Sequence, residues 1–405
     1  MVKVIEFISD LSDSLRQVQG RLGEVITVEL QRSESRSAED LEILRSLHKV
    51  VPDGVVVNKV VSNPHQFEMT PQELHWLDRH AESSWVDYLI HRYKFRLFPG
   101  QQKVADFPPH LLIEPTSICN LRCVMCFQID ETFTRDKSQM GLMPWMLFTS
   151  VVDQAADHSC QAITLASRGE PTLHKQFGEM LHYIHRKRFL DTKINTNATR
   201  LNEKLIHDIL ESEIANVTFS VDAADAETYE KIRVRGKFDQ VLENIELFHE
   251  IRDTHYLESV TTTRISGVAV LPDQDPQELQ SFWSGIVDEV AIVPNQQRWD
   301  SYNNPRFMRK EVCNLLYSRM YVWWDGTCNP CDFDYKSLLK VGNANDESLA
   351  DIWKGEKYSR IREHHESMRR SELNPCDRCP LESDPAGASG SRCWVCAVRL
   401  PGTSL

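Results

Sequence analysis

The chain has 405 residues, with 46 basic and 59 acidic side chains and a formal net charge of -13. With 41% hydrophobic and 26% charged residues, its composition is that of an ordinary globular protein, which excludes collagen-like, low-complexity and disordered classes. The acidic excess argues against a nucleic-acid backbone as partner, since counterion release needs clustered Lys and Arg. No run approaches the roughly 20 apolar residues of a membrane span. The first ten residues place Glu6 inside a short apolar run and offer no small-residue cleavage site, so no secretory signal is expected and the cytoplasm is the expected compartment. There, eleven cysteines point to metal ligation or catalysis rather than disulfides.

At roughly 150 residues per domain, two or three domains are expected. Residues 1–106 read as a small α/β segment, with β-like runs at Val2–Ile8, Glu24–Leu30 and Gly54–Val61 and a charged helical stretch from Ser37 to Lys49. A helix is expected from Thr70 as N-cap, with Pro71 at its first position, running through Trp76, Trp85 and Tyr88 towards Tyr93. Phe98-Pro99-Gly100 and Pro108-Pro109 then punctuate the chain.

From residue 107 to about 300, β-like runs alternate with amphipathic helical stretches. Strands are expected at 110–115, 161–166, 192–196, 215–221, 258–270 and 287–293, and helices at 144–157, 175–188, 202–212, 237–253 and 275–284. Such alternation predicts βαβ units and a parallel sheet. Six strands are too few for a closed eight-stranded barrel, so the expected fold is α/β with an open or partial barrel. Residues 301–405 form a cysteine-rich extension in which Pro385 to Ser391 is a Gly/Ser/Pro-rich tail.

Directly after the first strand, Cys119, Cys123 and Cys126 stand at C-x3-C-x2-C spacing in one loop. Three thiolates can ligate three irons of a cubane cluster, and with no fourth Cys or His beside them one iron is left open for another ligand. The loop resembles that of the radical S-adenosylmethionine (SAM) enzymes, whose three-cysteine motif follows the first strand of a partial (β/α)6 barrel. The resemblance implies a 4Fe-4S cluster that binds SAM and, on reduction, splits it into methionine and a 5′-deoxyadenosyl radical. Phe127 follows the third cysteine as an aromatic neighbour of the cofactor.

The later motifs fit in order. Ala166-Ser167-Arg168-Gly169-Glu170-Pro171 is similar to the family's Gly-Gly-Glu-Pro turn, which gives Glu170 the SAM ammonium, although Ser167 and Arg168 depart from the glycine-rich form. Asn195-Thr196-Asn197 resembles Thr-Asn-Gly, with Ala198 where glycine is usual. Ser220, at the end of the fourth strand, and Arg233 match residues that approach the SAM ribose and carboxylate in relatives. The resemblance covers roughly residues 107 to 295.

Beyond it, Cys313, Gly326 and Cys331, then Val341-Gly342-Asn343 and Leu349 to Trp353, then Cys376 and Cys379, resemble the SPASM and twitch extensions of that family. By that match Cys313, Cys331, Cys376 and Cys379 hold one saturated auxiliary 4Fe-4S cluster. Cys393-x2-Cys396 departs from the seven-cysteine pattern, and with Cys376-x2-Cys379 it also has the spacing of a zinc ribbon. Cys328 is left over; it is either an unliganded cysteine or a catalytic hydrogen donor to a product radical. Cys160 reads as a buried core thiol.

The family resemblance implies hydrogen abstraction from a small molecule, with oxidation or epimerisation of a sugar or nucleotide sugar ranked first. Aromatic faces and carboxylates between Met320 and Tyr335 suit a polyhydroxylated ring. It also implies an electron donor such as flavodoxin or ferredoxin. Two alternatives stand beside this reading: a peptide-maturation enzyme, and a non-catalytic iron-sulfur or zinc sensor.

Overall fold

The computed structural model describes residues 13–32, 36–50, 67–272, 274–295, 298–307, 309–380 and 395–398. Its first described segment is helical: α1 (Asp13–Gln31), α2 (Ala38–Val50), α3 (Pro71–Arg79) and α4 (Glu82–Gln101). The β-like run Glu24–Leu30 lies inside α1, which corrects the expected strand. Its β-branched residues favour a strand locally, but Val18, Leu22 and Ile26 recur at intervals of four and bury one helical stripe against Leu44, Leu47 and Leu89. The runs Val2–Ile8 and Gly54–Val61 lie outside the described residues.

The Thr70 cap forms as expected, as a reciprocal box in which Thr70 Oγ1 accepts from Glu73 N and Thr70 N donates to Glu73 Oε2. The single helix towards Tyr93 is instead two, broken at His80 and Ala81. Pro99 and Gly100 sit within the last turn of α4 rather than ending it.

The main domain follows the expected alternation. Strands β1 (His110–Ile113), β2 (Ala162–Leu165), β3 (Asp191–Thr196), β4 (Asn216–Ser220), β5 (Thr262–Ala269) and β6 (Glu289–Pro294) pair in chain order, all parallel. Helices α5 (Trp145–Asp157), α6 (Phe177–Arg186), α7 (Glu203–Glu211), α8 (Ala226–Ile232), α9 (Phe238–His255) and α10 (Pro276–Trp283) connect them. On each strand alternate residues such as Ile163, Ile194, Val217, Ile265 and Val290 join the apolar core with side chains of these helices. The intervening residues therefore face the other, concave side.

The C-terminal domain extends the same sheet. Strand β7 (Met320–Val322) pairs in parallel with β1, and β8 (Thr327–Asn329) and β9 (Gly342–Asn343) follow antiparallel. At the far edge β10 (Val395–Val398) pairs antiparallel with β6. The order is β9-β8-β7-β1-β2-β3-β4-β5-β6-β10, an open sheet.

The N-terminal helices cover the end of the sheet where the parallel strands begin. Trp76 Nε1 donates to Leu190 O at 3.2 Å, Arg92 and His91 reach Asp191 at 3.4 and 3.5 Å, and Phe95 packs on His110. The opposite end carries the motif loops, as parallel α/β folds require.

One buried ion pair ties that end to the C-terminal domain. Glu114, just past β1, and Arg168, just past β2, are both almost fully buried. Arg168 Nε and Nη2 donate to the two Glu114 oxygens at 2.8 and 2.7 Å, and the Arg168 backbone N–H adds a third bond at 3.1 Å. From the C-terminal domain, Tyr335 O accepts from Arg168 Nη1, Trp324 N donates to Glu114, and the Trp323 ring lies 4.4 Å from the guanidinium carbon. Removing one partner strands a buried charge, which costs about 3–5 kcal/mol, whereas removing both does not. Arg168→Met is therefore expected to lower the urea midpoint strongly and Glu114→Leu with Arg168→Met to recover much of the loss; additive costs in the double variant would contradict the coupling.

Candidate active site

The cysteine loop is fastened on three sides. Its entrance is held by Thr116 Oγ1, which donates to Gly141 O and accepts from Ile118 N. Glu170 N donates to Ile118 O at 2.9 Å, so the turn after β2 lies against the loop. The approach is so close that a Cβ on Gly169 would stand 2.3 Å from Thr116 O, which explains a glycine there. On the far side, Arg122–Cys123 pairs antiparallel with Arg233–Val234.

These ties bring the expected residues together. Asn197 Nδ2 donates to Asn120 Oδ1 within the loop, and Arg233 Nη1 stands 3.8 Å from Cys123 Sγ while its Nε pairs with buried Asp222 at 2.8 Å. Ser220 ends β4, half-buried, two residues before Asp222. Phe127 is buried in a stack with Tyr335, ring centroids 4.8 Å apart, and meets Phe133 edge-on, so its ring joins the loop to the C-terminal domain. Asp130 repeats that link, accepting from Tyr335 Oη and pairing with Lys336 Nζ, both at 2.7 Å.

The donor set fits an iron cluster and a bound cation. Burial, with Glu170 close by, pushes the Cys119 thiol up to about 12; burial raises Cys123 to about 11 against the pull of Arg233. Thiols this crowded give up their protons to a metal rather than to water. Glu170 is buried and its carboxyl is raised by that burial, although Thr172 Oγ1, Thr196 Oγ1 and Asn197 N all donate to it at 2.6–2.7 Å. It makes no ion pair among the described residues, so these three hydrogen bonds compensate its burial.

Two of the three departures from the glycine-rich motifs keep the glycine backbone. Ser167 has φ 120° and Ala198 φ 61°. Such conformations cost a side-chain-bearing residue about 1–3 kcal/mol, and Ser167 Oγ is also buried without a hydrogen-bond partner. Arg168, the other departure, is the residue that docks the C-terminal domain.

In that domain Cys313, Cys331, Cys376 and Cys379 line one cavity, together with His365 and Arg370. Among the described residues no three His, Cys, Asp or Glu side chains converge closely enough to hold a single ion. Arg370 is a fully buried guanidinium whose Nε has no acceptor, and His365 Nε2 is likewise unpaired. A buried cation beside four thiolates suits an anionic cluster, whose sulfurs accept such donors. Sequence reasoning missed both residues, which carry no motif.

Cys328 is not brought to either site. It is fully buried in β8, with Sγ donating to Gly326 O. Cys160 is a core thiol as expected, donating to Pro109 O and Ala162 O. Cys393 lies outside the described residues, and Cys396 falls in β10 at the sheet edge. The expected aromatic platform is engaged otherwise: Trp323 covers Arg168, Trp324 Nε1 donates to Gln139 O, and Asp334 caps the backbone of Leu338 and Leu339. Asp325 is a turn residue beside Gly326 (φ 86°).

Comparison with known proteins agrees with this geometry. Residues 113–282 match the model of the radical SAM superfamily, and residues 313–380 match that of the SPASM iron-sulfur cluster-binding domain. The chain is 26% identical over 338 residues to the tungsten-containing aldehyde ferredoxin oxidoreductase cofactor-modifying protein of Pyrococcus furiosus, spanning 70% of this chain and 91% of that one. It is also 26% identical over 169 residues to the mycofactocin maturase of Mycolicibacterium smegmatis, spanning 42% of this chain and 41% of that one. Among solved structures, SuiB of Streptococcus suis bound to S-adenosylmethionine superposes with a TM-score of 0.51 at 16% identity, covering 73% of this chain and 84% of that one. At that identity the likeness is one of fold.

Two measurements test the site. Ser167→Gly removes both the strained φ and the unpaired hydroxyl, and should raise stability by about 1 kcal/mol; a lowered melting temperature would show that Ser167 serves another purpose. Iron analysis after anaerobic reconstitution should find about eight irons per chain, about four in Cys126→Ala and in Cys376→Ala, and about eight in Cys328→Ala. Loss of iron in the last would place Cys328 among the ligands.

Proposed function

The chain is a radical SAM enzyme with a C-terminal SPASM domain, and from that premise we propose that it oxidises a hydroxylated small molecule by abstracting a carbinol hydrogen, with a nucleotide sugar as the first candidate substrate. When bound, the cluster on Cys119, Cys123 and Cys126 supplies the electron that splits SAM into methionine and a 5′-deoxyadenosyl radical, and that on Cys313, Cys331, Cys376 and Cys379 supplies an electron-accepting centre. The observation that carries the SAM-dependent part of the reading is the convergence of Glu170, Asn197 and Arg233 on one three-cysteine loop; the sugar substrate rests on the family resemblance.

Each residue has a distinct task in this reading. Glu170 holds the SAM ammonium, and its bonds from Thr172, Thr196 and Asn197 fix the carboxylate in one orientation beforehand. Arg233, held by Asp222, places positive charge beside Cys123, where the cluster thiolates and the SAM carboxylate gather. Ser220, half-buried at the end of β4, would offer a hydroxyl to the SAM ribose. The Phe127–Tyr335 stack and the Asp130–Lys336 pair keep water from the side of the loop that meets the C-terminal domain. Abstraction of a carbinol hydrogen gives 5′-deoxyadenosine and a substrate radical; loss of one electron and the hydroxyl proton then leaves a carbonyl.

A peptide substrate is the second reading, favoured by a relative named as a maturase. The first experiment is quantification of 5′-deoxyadenosine from SAM after anaerobic reconstitution and reduction. Wild type should release it and Cys126→Ala should not. Glu170→Gln should bind SAM roughly ten- to a hundredfold more weakly, since a charge-assisted hydrogen bond contributes about 1.5–3 kcal/mol. Loaded wild-type clusters that never cleave SAM would overturn the proposal in favour of a sensor. Product formation from nucleotide sugars or from a precursor peptide then decides between the two substrate readings.

A further inference from the structure

The concave face of the sheet carries charge that the SAM site does not use. Strand alternation places Lys193 and Asn195 of β3 on it, because Ile194 between them is buried against the helices. By register Asn195 lies opposite Thr218 of β4, Thr218 opposite Arg264 of β5, and Arg264 opposite Glu289 of β6. Lys193 feels the charge of Glu289, three strands away on one side, and of Arg319, which leads into β7 three strands away on the other.

The polar groups here are short of partners. Among the described residues Lys193 has neither an ion pair nor a hydrogen-bond acceptor. Arg264 meets Glu289 only at 3.7 Å, beyond hydrogen-bond reach. Asn195 Oδ1 is buried with no donor. The other carboxylate nearby, Asp191, is engaged by Arg92 and His91 from the N-terminal helices. Burial, then repulsion from Arg264, brings the Lys193 ammonium down to about 8, as expected of a cation without a counter-charge.

The position suits a substrate anchor. Lys193 lies three residues below Thr196, which holds Glu170, so its backbone stands roughly 10 Å deeper along the strand than that of Thr196. Below it α4 closes the end of the sheet with Phe95 against His110. A molecule entering past the cysteine loop therefore meets Lys193 and Arg264 last.

We propose that Lys193 and Arg264 receive an anionic group of the substrate, phosphate or carboxylate, at the floor of the concave face, with Asn195 as an added polar contact. That the ligand is the substrate rests on the SAM-dependent reading above; that the floor binds an anion does not. An anchored anion would leave the rest of the molecule pointing back towards the 5′-carbon of SAM.

The test is calorimetric titration of the reconstituted, SAM-loaded enzyme with inorganic phosphate, with acetate and with glucose as an uncharged control. Phosphate or acetate should bind and glucose should not, the stronger anion naming the group: phosphate for a sugar nucleotide, carboxylate for an acid or peptide. Lys193→Met and Arg264→Met should each weaken binding at least tenfold, and Lys193→Arg should restore it. Absence of anion binding by wild type, or undiminished binding by a Lys193→Met protein with a wild-type melting temperature, overturns the inference. Release of 5′-deoxyadenosine by the same preparation separates the two proposals. Wild type that cleaves SAM but takes no anion ends this one alone, and wild type that takes an anion but leaves SAM intact ends the other.

Discussion

The Glu114–Arg168 pair is the constraint on which the arrangement of this molecule turns. Two charges are held out of water at the C-terminal ends of β1 and β2, and neither could stay there without the other. Their remaining hydrogen-bonding capacity is met by backbone groups of Trp324 and Tyr335, so the C-terminal domain completes the compensation. The same arginine occupies the turn that ends in Glu170. Docking of the C-terminal domain and placement of the Glu170 turn are thereby settled by a single side chain.

Much of this was legible from residues alone, and the reasons for success and failure are physical. The parallel strands read clearly because short apolar runs alternate with amphipathic helical stretches; the run expected at 161–166 is β2 at Ala162–Leu165. The convergence of the cysteine loop with Glu170 and Asn197 was legible because cluster chemistry restricts residue type and spacing. What failed was local propensity where burial outweighs it: Val25, Ile26, Thr27 and Val28 suit a strand, yet the stripe of Val18, Leu22 and Ile26 makes a helix. The meaning of Arg168 was also hidden, since a motif records which residue departs from glycine and not which carboxylate waits 54 positions earlier. The aromatic run misled for the same reason, as the Trp323 ring can cover a guanidinium as well as a sugar, and Trp324 is tied by its N–H to Gln139 O.

Charge is divided along the axis of the parallel strands. At their starts, Asp191 is neutralised by the N-terminal helices; midway, Lys193 and Arg264 stand with little compensation; at their ends, the Glu170 carboxyl and the loop thiols are buried together, and burial raises each. The apolar faces of the strands point outward to the helices, so this polar column contributes little to the core and can be shaped by ligand chemistry instead.

Strand β7 belongs to the C-terminal domain by sequence and to the main sheet by hydrogen bonding, since β1 pairs with β2 on one side and with β7 on the other. Without that neighbour, β1 would bare a row of backbone donors and acceptors along the apolar residues Leu111, Leu112 and Ile113, the kind of edge that recruits other chains into aggregates. The cluster-binding half therefore also serves as an edge guard for the catalytic half. The two are best regarded as one folding and solubility unit rather than an enzyme with a detachable electron carrier.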